Sequence, residues 1–265
     1  MRNKLGLKDA ILIEKDKIAI LSFNRDDIRN ALTGSNLIED IKKSVAYINS
    51  NQNISVLIIT GKGKAFSSGG NIKEMTSKDG SFSGSVAEIE KKYRYGIQQI
   101  PKTLETLEVP SIASVNGPAI GAGFDLACMC DIRIMSKKAF FSESFLNLGI
   151  IPGDGGGYFL TRLIGYQKAA ELTFTGRKVF PEEALKMGLV LKVVEEEELI
   201  NETFNLAKEI ASKPSIALRY SKRLLKKSDS LSLNEYLDLS ALFQGISHNT
   251  KEHKNILKKI KKKLS

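Results

Sequence analysis

The sequence predicts an α/β core followed by a helical C-terminal portion. Three observations carry this. Short apolar runs of strand type alternate with helically spaced stretches up to about residue 143, and helical patterning dominates after about residue 155. Two glycine-rich loops each follow a buried strand and open towards a helix. The chain has 265 residues, 42% of them hydrophobic and 26% charged, as expected for a soluble globular protein with one sizeable core. That length suits one domain, or one domain with a modest appendage.

The elements follow in order. Two apolar runs at 11–14 and 18–23 flank Lys15-Asp16-Lys17 and predict a β-hairpin. Apolar residues at 37, 41, 45 and 48 predict an amphipathic helix, with Asn36 and Glu39 as capping residues. The run ISVLIIT at 54–60 is a buried strand. The loop GKGKAFSSGGN follows it, and the Ser- and Gly-rich stretch 77–85 is expected to be mobile. Helical spacing from Val86 to Leu107 predicts a helix that Pro101 kinks or splits. Residues 111–116 form another strand, followed by a glycine turn and a short apolar helix through Met129. Segments 132–135 and 139–142 read as strands. Beyond them the helical pattern is interrupted by Gly165, Gly176, Pro181, a strand at 189–194 and Pro214. There is no clean linker, low-complexity segment or fixed-period repeat.

Composition excludes several chemistries. Cys128 and Cys130 lie one residue apart in an apolar stretch, which gives neither a disulfide framework nor a zinc site and suits small buried side chains. The only histidines, His248 and His253, fall in the last 20 residues, so a His-based triad or multi-His metal site is not expected. The N-terminus lacks the apolar run of a signal peptide, and no stretch is long enough to span a bilayer. The expectation is a cytoplasmic, soluble protein without a metal or separate cofactor.

The formal net charge is +10, from 40 Lys and Arg against 30 Asp and Glu. Residues 213–265 hold 13 basic and 4 acidic side chains, so nearly all of the excess is C-terminal. Ile256, Leu257, Ile260 and Leu264 follow helical spacing and leave the terminal lysines on the remaining faces.

The glycine loops are 61–71 and 116–123, the second reading NGPAIGAG. A strand, a small-residue turn and a helix start together present free backbone N–H groups that hold an anion or polarise a carbonyl. Nucleotide fingerprints fail on spacing. Neither loop holds GxxxxGK[ST], and Leu126 stands where GxGxxG needs its third glycine. There is no GxSxG elbow either. Each loop alone also reads as a plain turn.

AFSSGGNIKEM (65–75), VNGPAIGAGFDLACMCD (115–131) and LGIIPGDGGGYFLTRLIG (148–165) together resemble the enoyl-CoA hydratase/isomerase, or crotonase, family. NRDDIRNAL (24–32), LTFTGRKV (172–179) and EEALKMGLV (182–190) add to it, and the motifs occur in the family's order from about residue 11 to the tail. The resemblance implies a crotonase-like spiral of β-β-α repeats as the α/β core over residues 1–200. Residues 201–265 would form a helical C-terminal trimerisation region, in a homotrimer or hexamer. It further implies an acyl-CoA substrate, with the backbone N–H groups of Gly70 and Ala122 as the oxyanion hole. Lys64, Ala65, Ser67, Ser68, Gly69, Asn71 and Ile72 would flank the CoA portion. Lys259 would reach the nucleotide phosphates from the terminal helix near a neighbouring subunit's site.

Hydratases of this family use two glutamates. Asp125 stands at the first position, one methylene shorter, whereas Phe145 stands at the second. Asp154, in the turn PGDGGG, is the replacement that the resemblance implies. The plain alternatives stay open: Asp125 as a helix N-terminal acid, and Asp154 as a turn or N-cap residue. Glu143 is expected to point elsewhere if its segment is extended, as a solvated or salt-bridged carboxylate. Asn71, where the family often has Asp, reads as a change of local cap. The resemblance implies an enoyl-CoA hydratase, with Asp125 and Asp154 as the acid–base residues. Three alternatives stand beside it: an enoyl-CoA isomerase using one principal carboxylate, a non-catalytic acyl-CoA-binding protein, and RNA binding by the lysine-rich tail. The last lacks aromatic-interleaved basic motifs, so nucleic acid is not the expected partner.

Overall fold

The computed structural model describes residues 5–77, 80 and 82–264. The predicted hairpin is β1 (Ala10–Lys15) against β2 (Ile18–Phe23), with Lys15 opposite Ile18. Asp16 and Lys17 at its tip have φ of 52° and 66°, the pair of left-handed residues whose twist matches a two-residue hairpin. Helix α1 (Leu37–Ser50) buries Leu37, Ile41, Val45 and Ile48, the four positions of the predicted stripe. Asn36 does not cap it through its side chain. Both its amide and its side chain bind the Asp9 carboxylate instead, while Asp40 of α1 accepts from the amides of Asp9 and Ala10. The helix start is thus tied to the hairpin, with the Ser35 hydroxyl accepting from the Leu37 amide at 3.3 Å.

Strand β3 (Val56–Gly61) leads to α2 (Ile72–Thr76), α3 (Val86–Tyr95) and α4 (Gln99–Glu105). A reciprocal Ser85–Glu88 capping box starts α3. The helix expected over 86–107 does break, but at 96–98 and not at Pro101. Pro101 lies in the first turn of α4, where its missing N–H leaves no helical bond unmade. Part of the 77–85 stretch expected to be mobile lies outside the described residues.

The chain then alternates between two sheets. Strand β4 (Ser111–Val115) is followed by β5 (Ala119–Ile120) and α5 (Ala122–Met129). Next come β6 (Ile132–Ser136), β7 (Phe141–Ser142), α6 (Gly156–Ile164) and α7 (Tyr166–Thr175). After them run β8 (Lys178–Val179), α8 (Pro181–Met187) and β9 (Lys192–Val194). The larger sheet has the order β1-β2-β3-β4-β6-β9 and is parallel except for the hairpin. The smaller sheet is β5-β7-β8, extended by a bridge from Ser67 to Ala119. Twice, therefore, a strand of the large sheet is followed by one of the small sheet and then a helix. This is the β-β-α winding that the resemblance implies.

One core lies between the large sheet and the helices α1, α4, α5, α6 and α7. The other face is covered by α9 (Leu199–Ala211), whose Leu199, Ala207 and Ala211 meet Ile18, Val56, Ile58, Ile112 and Ile134. Burying each large aliphatic side chain contributes about 1.5–3 kcal/mol. Helices α10 (Ser215–Lys227), α11 (Leu233–His248) and α12 (Lys251–Leu264) complete the chain. Lys222 of α10 is buried and ion-pairs Asp131 at 2.7 Å while donating to the Val109 carbonyl at 2.7 Å. Since β3 and β4 are parallel neighbours, both glycine loops leave the same edge of the sheet.

Candidate active site

The two glycine loops meet face to face. Gly69 has φ of 73°, and a Cβ there would lie 2.4 Å from the Ile120 carbonyl oxygen and 2.8 Å from the Ala122 nitrogen. Only glycine allows this approach. On the opposing loop, a Cβ at Gly123 would fall 2.2 Å from the Ser67 carbonyl oxygen. The Ile120 amide donates to that same oxygen at 3.0 Å, and the Ser67 hydroxyl donates to Asn30 O at 2.8 Å, fixing the first loop from both sides. The Gly121 amide donates to Ser142 O at 2.8 Å, which orients the start of α5. Among the described residues, the amide N–H groups of Gly70 and Ala122 donate to no protein acceptor. Two unspent amide donors on adjoining loops are the arrangement that stabilises an oxyanion.

Both residues line a cavity of about 80 Å³, and Asp154 lines it too. Its remaining walls are mainly apolar, from Ile72, Met75, Tyr93, Ile97, Phe145 and Ile150 among others. A wider depression of about 830 Å³ adjoins it and shares Tyr93, Ile150 and Asp154. Phe145 is the residue the family pattern would have as an acid. Its ring lies over Gly121, 3.5 Å from where a Cβ would stand, so it supplies an apolar wall.

The acids converge behind that wall. Asp125 of α5 is fully buried, Asp154 is 3% exposed and Glu143 is 1% exposed. Glu143 therefore corrects the expectation of a solvated or salt-bridged side chain pointing away. In the extended segment, Phe141 and Glu143 share one face, and Phe141 stacks on Phe124 with ring centroids 4.5 Å apart. That same face brings Glu143 to α5 beside Asp125. Asp125, Asp154 and Glu143 lie close enough for their charges to act on one another. Yet both oxygens of Asp125, both of Glu143 and one of Asp154 receive no N–H or hydroxyl donor. Carboxyls buried near one another without donors favour the protonated form.

The electrostatics agree. Burial pushes the Asp125 carboxyl well above the usual carboxylate range, and the charges of Asp154 and Glu143 push it further. Burial raises Glu143 to about 7 and raises Asp154 as well. All three carboxyls are thus pushed towards the neutral form, Asp125 well above the usual range. Gly156, at the start of α6, makes room for it: a Cβ there would stand 2.1 Å from Asp125 Oδ1.

The other sequence-indicated residues are placed unevenly. Ser68 and Ile72 line the cavity, and the Asn71 side chain accepts from the Lys73 amide as the cap of α2. Ala65 and Ser67 are buried supports; the Ala65 carbonyl accepts from Asn30 and Asn116. Lys64 is exposed, its amide bound to Asp26. Lys259 is exposed on α12, outside the cavity lining. Sequence reasoning missed Tyr93, whose ring packs against Gly153 and whose phenol titrates higher because of burial and the nearby Asp154. It also missed the inward Glu143, which the alternation from Phe141 signals. No group of three or more His, Cys, Asp or Glu among the described residues is placed to hold a metal ion. No described helix is long and apolar enough to cross a membrane.

The paired amide donors over a small cavity are an arrangement of the oxyanion-binding kind, and comparison with known proteins gives the family. The enoyl-CoA hydratase/isomerase family model matches residues 14–263. The short-chain-enoyl-CoA hydratase of Clostridium acetobutylicum is 34% identical over 256 residues, 96% of this chain and 94% of that protein. The crotonyl-CoA hydratase of Syntrophomonas wolfei is 35% identical over 251 residues, 94% of each. Among solved structures, the enoyl-CoA hydratase of Bacillus anthracis superposes with a TM-score of 0.87 at 31% identity, covering 97% of both chains. A Thermobifida fusca protein in complex with CoA gives 0.81 at 29% identity, over 92% of this chain and 94% of the other. The chain belongs to the enoyl-CoA hydratase/isomerase family, and its fold is the crotonase fold.

Proposed function

We propose that the protein is an enoyl-CoA hydratase that adds water to a short-chain 2-enoyl-CoA. One observation carries the reading: Gly70 and Ala122, with their two unspent amide donors, and Asp154 line one small cavity. Relatives of about 35% identity over most of the chain, named as short-chain and crotonyl-CoA hydratases, support it. The thioester oxygen sits between the two N–H groups. Asp154, as carboxylate, takes a proton from water while the water oxygen bonds to C3. The electron pair of the C2–C3 double bond moves into the thioester, and the resulting enolate oxygen is held by Gly70 and Ala122. C2 then takes a proton from the Asp125–Asp154 pair, which restores the starting charge. Each amide donor contributes on the order of 3 kcal/mol to the transition state. CoA is part of the substrate, and the reaction uses no separate cofactor.

Ser67, Ser68 and Gly69 carry the loop that meets the pantetheine end. Lys259 is assigned to the nucleotide phosphates of a neighbouring subunit's ligand. That assignment goes with a homotrimer or hexamer, supported by exposed Leu233, Leu237, Leu242 and Ile246 along α11. A cytoplasmic location goes with this reading. A second reading, an enoyl-CoA isomerase, is favoured by one observation: of the three acids only Asp154 lines the cavity. Purified protein offered crotonyl-CoA and, separately, a 3-enoyl-CoA tests both. Hydration of the first is expected; turnover of the second alone selects the isomerase, and inertness to both removes each reading.

A further inference from the structure

The inner cavity and the wider depression share one wall. Gly70 and Ala122 line only the inner cavity of about 80 Å³. Tyr93, Ile150 and Asp154 line both that cavity and the depression of about 830 Å³. We propose that the ring of Tyr93 sets the acyl-chain length of the substrate. It closes the inner cavity against the depression, so a chain held by its thioester at Gly70 and Ala122 is stopped while still short. The proposal rests on the hydratase reading and deepens it.

The ring is held in place from two segments. Tyr93 belongs to α3, and its ring lies on the turn that precedes α6. A Cβ on Gly153 of that turn would stand 2.7 Å from Tyr93 Cε1 and 3.2 Å from Cδ1, so ring and turn are in close contact. Phe82 packs on the same ring edge-on, with centroids 5.9 Å apart. The turn has its own anchor, since the Gln98 side chain donates to the Gly153 carbonyl at 2.8 Å. Beyond the wall the depression presents Ile89, Pro101, Ile151 and Pro152, with Glu90 and Lys102 also in its lining. Those apolar side chains suit an alkyl chain, and each methylene buried there favours binding about fourfold. Of the three shared residues, Asp154 carries the acid chemistry and Ile150 lies four residues before it. Tyr93 is the one on a different element, so its ring can be removed without rebuilding the turn.

The test is kcat/KM for crotonyl-CoA and for the 2-enoyl-CoAs lengthened by two and four methylenes, in the wild type, Y93A and Y93F. The wild type is expected to lose at least about tenfold over the four added methylenes. Y93A joins the two spaces and raises the ratio of long-chain to crotonyl-CoA turnover at least about tenfold over the wild type. Y93F keeps the ring and the wild-type ratio, which separates the bulk of the ring from its hydroxyl. A wild type equally fast with all three substrates overturns the proposal. So does a Y93A enzyme that keeps the wild-type ratio, however much it is slowed, or a Y93F enzyme whose ratio shifts as far as that of Y93A. Should Y93A not fold, Y93L removes the ring while keeping an apolar side chain, and its ratio decides in the same way. A wild type inert to all three substrates overturns the hydratase reading instead. The affinities of the same variants for butyryl-CoA and octanoyl-CoA then decide the wall on their own.

Discussion

Gly156→Ala is the sharpest probe of how the acids are held. A Cβ at this position would stand 2.1 Å from Asp125 Oδ1 and 2.3 Å from both Cγ and Oδ2, where real Cβ atoms do not come closer than 3.0 Å. The carboxyl must retreat by about 1 Å. Gly156 is helical and its φ is not in the left-handed region, so the backbone accepts alanine without strain. A misplacement of about 1 Å in a reacting constellation costs about 100-fold in rate. The expected result is a kcat about 100-fold lower for crotonyl-CoA, followed by loss of the conjugated-enoyl absorbance, in a protein whose circular dichroism is native. KM changes little, because the two amide donors are untouched. An alanine variant with kcat within about threefold of wild type would mean that Asp125's position is irrelevant to turnover.

Other perturbations address the remaining parts. Asp125→Asn and Asp154→Asn should each slow turnover by about two to four powers of ten, and an unaffected Asp154→Asn enzyme reduces that residue to a turn position. Gly69→Ala places a methyl 2.4 Å from the Ile120 carbonyl oxygen at a positive φ and parts the two amide donors. Loss of one donor corresponds to a kcat about 100-fold lower, and full activity in this variant removes the oxyanion role of the loop pair. Glu143 holds a proton in the folded state up to about 7 that the unfolded chain releases near 4.5. Its contribution is fully present below the lower value and is lost as pH rises through the higher, on the order of 3 kcal/mol. Urea titrations across that range should show the decline in wild type and a shallower one in Glu143→Gln. Lys222→Ala leaves Asp131 without its buried partner and should cost about 3 kcal/mol in the same assay, with a wild-type midpoint contradicting the ion pair's role.

The sequence made the fold legible where patterning was local and regular. The stripe from Leu37 to Ile48 buried the face its period required, and the apolar runs at Ile18–Phe23 and Val56–Gly61 form strands buried nearly throughout. The break after Tyr95 was misplaced because Pro101 is the conspicuous breaker, yet a first helical turn accommodates it. At the site, the two glycine loops were readable because backbone approach needs small residues and the loops each follow a strand, whereas Asp154 was implied only by the resemblance of its turn. Glu143 was not readable, since its direction depends on how Phe141 stacks on Phe124, a contact between segments far apart in the chain. Tyr93 was likewise hidden: it shows ordinary helical spacing, and its function-facing surroundings arise from Gly153, sixty residues away in the sequence.

In the proposed reaction Asp154, backed by Asp125, drives water onto C3 of an enoyl thioester held by Gly70 and Ala122. Its most direct measurement is turnover of crotonyl-CoA in ¹⁸O-labelled water, with the product analysed by mass spectrometry for wild type and Asp154→Asn. The account predicts a 3-hydroxyacyl-CoA carrying one ¹⁸O at C3 from the wild type, formed at least about 100-fold more slowly by the variant. Unchanged crotonyl-CoA from the folded wild type, or equal labelling rates in the two proteins, would contradict it.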